Sequence, residues 1–431
     1  MDWKPVMFSF ALICAGTVTR GQSQSVEPSS LRDLVESALQ RNRELLAVRQ
    51  SVAEAQGLLR QAAVRPALTL EVEAGTGRPL GTVGEEEYSA AFLQPIELGG
   101  KRQKRVTSAE LAVKLAEAEL AEKTRQLTFE VKAKAIEVMS DSEKVRALDR
   151  LAKVNEGSFK LTEARVKEGD AAPLDGQLLL VELSRTEAQQ AAATGHFEVA
   201  QVELRRIIGL LETDAMSIGN ILPKSLQEPV LAVLQELAQT QRPDLRTAQL
   251  LAEQGRAEVA LTQAQSRPDV TLSARYIHRN SQFDDPNGLT SNGARSVLKD
   301  QGNVILFGAS IPLFSGRRNQ GNMEASAARA MGSSLRRQHL ETTIPLEVQA
   351  AYRRLKSAKA TLAIFERGVV GQSAKNLQTI RQAYLIGQLR LLDVLNEQRR
   401  LVEIEISYID AKADLARAVI ELERSIGADL P

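Results

Sequence analysis

Leu68-Thr69-Leu70-Glu71-Val72-Glu73-Ala74 alternates apolar and polar side chains, the period of a strand with one dry and one wet face. Val270-Thr271-Leu272-Ser273-Ala274-Arg275-Tyr276 repeats the pattern 202 positions later. Two further segments, about Tyr88 to Ile96 and Asn303 to Ile311, are strand-like but alternate less regularly. Loops rich in Gly, Pro, Asp and Asn, Gly75 to Glu87 and Asn280 to Gly302, join the four in pairs. The reading is two β-hairpins, with strands at about 67–75, 88–96, 268–278 and 303–313.

Outside the hairpins the chain is helical. Proline is excluded from helix interiors, so its spacing divides the sequence. Pro66, Pro79 and Pro95 cluster, and none follows until Pro173; Pro268, Pro286 and Pro312 form a second cluster. The proline-free stretches carry apolar residues at helical spacing: Leu111, Leu115, Ala118; Leu377, Ile380, Tyr384, Leu391; Leu401, Ile404, Tyr408, Leu415, Leu422. A helix from Lys101 to Lys167 would be roughly 100 Å long and would need a coiled-coil neighbour. Pro345 interrupts the later pattern, and a bend is expected there. Composition agrees with long helices: aromatics are only 4%, and Ala, Leu, Gln, Glu, Arg and Lys dominate.

The two halves match at a drifting offset. Glu44-Leu45 pairs with Asp244-Leu245 at 200, Arg65-Pro66 with Arg267-Pro268 at 202, and Pro95-Ile96 with Pro312-Leu313 at 217. Gly169, Asp175 and Gly209 pair with Gly387, Asp393 and Gly427, all at 218. The jump of 15 falls inside the second β-hairpin, whose loop is therefore longer. The constant 218 predicts helical hairpins of equal length. Each half reads helix, strand, strand, long helix, turn, helix, with repeats at 22–220 and 221–431.

Four strands cannot close a barrel, and open edges are not tolerated in lipid. If these strands enter a membrane, several chains share one barrel. Leu68, Leu70, Val72 and Ala74 would then face lipid; Thr69, Glu71 and Glu73 would face a water-filled lumen, with Arg275 on the equivalent face. A soluble sandwich, or an edge sheet capping a helical bundle, is the alternative. The apolar run Val6 to Gly16 is too short to span a bilayer and has the length of a signal-peptide core, with cleavage expected near Gly21. Cys14 lacks the small preceding residue expected of a lipidated cysteine.

These features resemble the TolC-type outer-membrane efflux family. The carriers are Asn42/Glu44-Leu45, Arg65-Pro66, Gln94-Pro95-Ile96-Glu97-Leu98-Gly99-Gly100-Lys101-Arg102 and its repeat Pro312-Leu313-Phe314-Ser315-Gly316-Arg317-Arg318. The Leu-Gly-Gly-Lys-Arg segment is similar to the CzcC-like heavy-metal branch. The resemblance implies a mainly α chain with a small antiparallel β part. It further implies a homotrimer whose 12-stranded β-barrel continues into a periplasmic α-helical barrel. The implied partners are a periplasmic adaptor (membrane fusion) protein, an inner-membrane pump of the resistance-nodulation-division type, and outer-membrane lipid.

It also implies roles for the helical-hairpin tips, Gly169-Asp170-Ala171-Ala172-Pro173-Leu174-Asp175 and Gly387-Gln388-Leu389-Arg390-Leu391-Leu392-Asp393. Gly169 and Gly387 mark the adaptor-contact turns. Asp175, Tyr384 and Asp393 match the periplasmic gate, where a Tyr–Asp bond across neighbouring hairpins holds the mouth closed. Three copies of Asp393 would form a carboxylate ring attractive to cations. The family's second ring aspartate is Asn396 here, and its arginine donor is Leu389, with Arg390 adjacent. Helix capping is the plainer role for both aspartates. Lys101, Arg102, Lys104 and Arg105 could meet lipid headgroups or satisfy neighbouring helices at the barrel–tunnel junction.

Other function classes fare poorly. With 55 Lys+Arg against 54 Asp+Glu, the net charge of +1 argues against a nucleic-acid binder. One cysteine and three scattered histidines (His196, His278, His339) argue against a disulfide framework or zinc site. Gly75-Thr76-Gly77-Arg78-Pro79-Leu80-Gly81 lacks the Walker ending, so no cofactor is expected. No catalytic constellation stands out, leaving an exported coiled-coil scaffold of the envelope, without channel activity, as the alternative to a passive exit duct.

Overall fold

The computed structural model describes residues 30–80, 85–211, 214, 216, 230–282, 288, 289, 291–296, 299–313 and 319–430. The expected signal peptide (1–21), Cys14 and Phe314-Ser315-Gly316-Arg317-Arg318 lie outside them.

The chain starts with α1 (Leu31–Arg41), opened by a capping box: Asp33 N–H donates to Ser30 Oγ at 3.3 Å, and Ser30 N–H to Asp33 Oδ2 at 2.8 Å. Asn42 ends α1 and caps α2 (Arg43–Ala62), its Oδ1 accepting the Leu45 N–H at 2.9 Å. Then come β1 (Thr69–Thr76), β2 (Glu86–Ile96), the 68-residue α3 (Lys101–Glu168) and α4 (Pro173–Ile208). The same order follows as α5 (Leu231–Gln241), α6 (Pro243–Gln265), β3 (Val270–Gln282), a short ribbon β4 (Gly288–Leu289) with β5 (Arg295–Ser296), and β6 (Lys299–Ser310). It closes with α7 (Gln320–Ile364), α8 (Val370–Leu385) and α9 (Leu391–Ile426). The β4–β5 ribbon sits in the longer hairpin loop. The fold is mainly helical with one small antiparallel sheet, ordered β1-β2-β3-β6.

Among the described residues, the two largest apolar clusters hold the helices of the two halves. One gathers Leu34, Ala38, Leu45, Leu127, Val131, Val138, Ala200, Leu204 and Ile208. The other gathers Leu234, Ala238, Leu245, Ile344, Val348, Leu355, Ala418, Leu422 and Ile426. Matched in order, these residues stand 200 apart in the first helices, 217 apart from Leu127/Ile344 to Val138/Leu355, and 218 apart in the last helices.

The step from 217 to 218 has a structural counterpart. The segment Phe365–Val369 between α7 and α8 is a wide π-type turn kinked at Gly368, whose φ of 127° is not helical. A π turn holds one residue more than the α-helix it interrupts. The second hairpin is thus one residue longer up to its tip, which corrects the expectation of equal lengths. α7 continues through Pro345, the position where a bend is expected. Ile344 and Val348 are fully buried on either side, and Gln235 Nε2 donates to the Pro345 carbonyl at 3.2 Å. Packing holds the helix together despite the missing donor.

Candidate functional site

The register of the sheet sorts its side chains into two faces. One face carries the rows Leu70/Phe92/Ala274/Phe307 and Val72/Ala90/Tyr276/Ile305. These are not buried: Val72 is 71% exposed, Ile305 65% and Phe307 85%. A contiguous apolar band of this kind is unfavourable in water and favourable against lipid. The next row is Ala74/Tyr88/His278/Asn303, where the Tyr276 hydroxyl donates to Asn303 Oδ1 at 2.8 Å and His278 Nδ1 lies 2.8 Å from the same oxygen. Two tyrosines at the end of an apolar band, one of them bonded to a polar partner, match a membrane–water interface.

The opposite face carries charges on β1 to β3, in the rows Glu73/Ser89/Ile277/Val304 and Glu71/Ala91/Arg275/Leu306, with apolar residues on β6. Arg275 Nη1 lies 2.5 Å from Glu73 Oε2 and 3.3 Å from Ser89 Oγ; its Nη2 lies 3.5 Å from Glu71 Oε2. Ser89 Oγ donates to Glu73 at 3.1 Å, and Arg279 pairs with Glu87 at 2.8 Å. The structure therefore brings Glu71, Glu73 and Arg275 into one cluster. Thr69 shares this face, while Leu70, Val72 and Ala74 point the other way.

Below the sheet, the basic run satisfies helix neighbours. Arg105 Nε donates to the Ala62 carbonyl at 3.0 Å, its Nη2 to Val64 O at 3.2 Å, and both terminal nitrogens reach the Glu97 carboxylate. Arg102 Nε donates to Ala63 O at 2.7 Å. The last carbonyl of α2 and the two that follow it, which the helix itself leaves without a partner, are thus filled. Lys101 is buried and pairs with Asp269 at 2.8 Å; Asp269 also accepts the Leu98 N–H. Gly99 has φ 75°, and a β-carbon there would meet Arg267 Cδ at 2.7 Å, so both the turn and the close approach call for glycine.

Midway down, each half has a joint that the sequence reading did not single out. Asn42 Nδ2 donates to Ile207 O at 2.8 Å, and Arg242 Nη1 to Ser425 O at 3.2 Å. Arg242 is almost fully buried and also binds Asp244 at 2.5 Å and Glu347 at 2.6 Å. Burial pushes the Asp244 carboxyl up, but the hydrogen bonds and charge of Arg242 outweigh it and leave its pKa below the usual carboxylate range. Lower still, Asn155 Nδ2 donates to Thr186 Oγ1 at 2.9 Å, and Gln398 Nε2 to Asn155 Oδ1 at 2.7 Å. All three are buried, and they tie α3, α4 and α9 together. A polar residue on the helical stripe of Leu148, Leu151 and Asn155 was the available clue.

The hairpin tips share one geometry. Gly169 and Gly387 have φ 86° and 78°. Asp170 N–H donates to Arg165 O at 2.8 Å, and Gln388 N–H to Ala383 O at 2.9 Å, the six-to-one bond of a Schellman turn. Asp175 and Asp393 are half-buried in the first turns of α4 and α9. Asp393 Oδ2 accepts the Arg390 N–H at 3.0 Å, so this residue does cap its helix. Tyr384 packs beside Leu179, Leu391 and Leu395. Within the single chain, its hydroxyl makes no hydrogen bond to either aspartate among the described residues.

Residues 34–210 and 234–428 each match the outer membrane efflux protein family. The chain belongs to that family. Its two matched segments cover both copies of the element order described above. Among its relatives is the cobalt-zinc-cadmium resistance protein CzcC of Cupriavidus metallidurans, 25% identical over 77% of this chain and 75% of that one. The outer membrane protein OprJ of Pseudomonas aeruginosa is 27% identical over 93% of this chain and 84% of its own length. The Campylobacter jejuni CmeC outer membrane channel shares the fold, with a TM-score of 0.75 at 14% identity over 94% of this chain and 90% of that one. This family member is an outer-membrane efflux protein and not an enzyme.

Proposed function

We propose that three copies of this chain join β6 of one protomer to β1 of the next, closing a 12-stranded barrel in the outer membrane above a periplasmic helical tunnel. The observation that carries the reading is the sheet itself. It has two edge strands, an exposed apolar face and an opposite face of paired charges. Symmetric closure satisfies the edges, gives the apolar rows lipid and leaves the charged rows in water. The chain then divides into a signal peptide at 1–21 and efflux repeats at 22–220 and 221–431.

The barrel and tunnel form the passive exit duct of a tripartite system, with transport energy supplied by an inner-membrane pump of the resistance-nodulation-division type. A periplasmic adaptor docks at the Gly169 and Gly387 turns. Asp175, Tyr384 and Asp393 gate the mouth through bonds between neighbouring hairpins. Likeness to CzcC supports metal cations as cargo, and likeness to OprJ leaves other small molecules open.

The test is purification in detergent followed by reconstitution in a planar bilayer. A trimer that conducts ions is the expected result. A monomer, or a trimer without conductance, would indicate an envelope scaffold instead.

A further inference from the structure

We infer that Arg275 is the residue that sets the charge selectivity of the barrel lumen. The inference rests on the trimeric duct proposed above. On the inward face, the strand rows from Arg279 downward carry five charged residues: Glu71, Glu73, Glu87, Arg275 and Arg279. Arg279 is engaged by Glu87 at the loop end, and Asp300 lies one row beyond, opposite Ser281. The rows below Arg275, Thr69/Leu93/Ser273/Gly308 and Pro95/Thr271/Ser310, hold no charge. Arg275 is therefore the one cation facing Glu71 and Glu73 at the middle of the sheet.

Its guanidinium holds Glu73 tightly and reaches Glu71 at the margin of contact, while Ser89 bonds to Glu73 from the strand between. Each protomer then contributes one net negative charge at this level, two carboxylates against one guanidinium. With Arg275 removed, three protomers would present six uncompensated carboxylates to the pore. A ring of that kind draws cations in and holds divalent ones. A duct must bind its cargo weakly enough to release it, and Arg275 keeps these carboxylates occupied. Glu71 is the weakly paired member, so a slight cation preference remains.

Stabilising the sheet is the plain alternative, and it makes a different prediction. Trimers of wild type, R275Q, R275K and the double variant E71Q/E73Q are placed in planar bilayers under a potassium chloride gradient. R275Q should raise the cation-to-anion permeability ratio at least about threefold, and R275K should stay near wild type. Cobalt chloride added on the barrel side should block R275Q and leave the wild type conducting. E71Q/E73Q, which leaves Arg275 unpaired, should shift the reversal potential the opposite way. An unchanged reversal potential in conducting R275Q trimers overturns the inference and leaves the duct intact. If R275Q does not assemble, an unchanged potential in E71Q/E73Q overturns it equally. A wild type that does not conduct overturns the duct and the filter together.

Discussion

Asn42 and Arg242 occupy the same joint in the two halves of the chain. Each interrupts a pair of helices, and each donates a side-chain hydrogen bond to a backbone carbonyl near the end of the last helix of its half, at Ile207 and Ser425. The neighbouring glycines, Gly209 and Gly427, approach them so closely that a β-carbon would meet Arg41 O or Arg242 Cα at 3.0 Å. An amide and a guanidinium thus serve one geometric purpose, but with different energetics.

The difference is measurable. N42A loses a helix cap and one hydrogen bond, about 1–2 kcal/mol. R242M leaves the half-buried Asp244 without its main partner, about 3 kcal/mol. Thermal melting of detergent-solubilised protein at neutral pH should rank R242M well below N42A.

The same pair gives a pH dependence. The pKa of Asp244 is depressed in the fold, so it stabilises the protein above about pH 4 and loses that contribution as pH falls through its folded value. In R242M the lowering by Arg242 is gone and only Arg125 and the Leu245 N–H still oppose burial, so the carboxyl rises relative to the wild type. The melting gap between wild type and R242M should narrow below about pH 4; a gap that widens would contradict this pairing.

At the junction, R105A should lower stability by about 2 kcal/mol, because the Ala62 and Val64 carbonyls lose their donor. A lysine there restores the charge but not the forked donor, so R105K should recover only part of the loss. Chemical denaturation followed by circular dichroism reads both.

At the mouth, Asp393 can be separated into cap and gate. D393N keeps an acceptor for the Arg390 N–H and removes the charge; D393A removes both. D393N should melt near the wild type while losing block by multivalent cations added on the periplasmic side, and D393A should in addition cost about 0.5–1 kcal/mol. Cation block that survives both substitutions would leave capping as the residue's whole role.

The alternation at 68–74 and 270–276 carried the sheet, because a strand with lipid on one side and water on the other has the simplest of sequence periods. The long helices were legible from where proline is missing, and the tips from glycines that only a left-handed turn explains. The joint was not legible, because Asn42 and Arg242 share no chemistry, only a position. The buried Asn155–Thr186–Gln398 set was missed for a related reason. Its members lie 31 and 243 residues apart, and nothing local marks them as partners. A proline's cost is local, whereas the packing that carries α7 through Pro345 comes from α5 and both flanking core residues.

The extra residue at the π turn makes a deletion informative. Removing Gly368 should return α7 and α8 to the 217 register of the first half and leave melting unchanged or raised. Removing Arg150 from the matching level of α3 should rotate everything beyond it by about 100° and disrupt assembly. Equal damage from both deletions would refute the register account.

Two legs of nearly the same length therefore differ in compliance. A β-carbon at Gly368 would have nothing within 4 Å, so no neighbour obstructs a change in its torsion. Force applied at the foot of α8 can be taken up in that one swivel, while α3 transmits the same push along an unbroken strut. A ring of such subunits would alternate pliant staves with rigid ones, and any dilation of its base would begin at the pliant three.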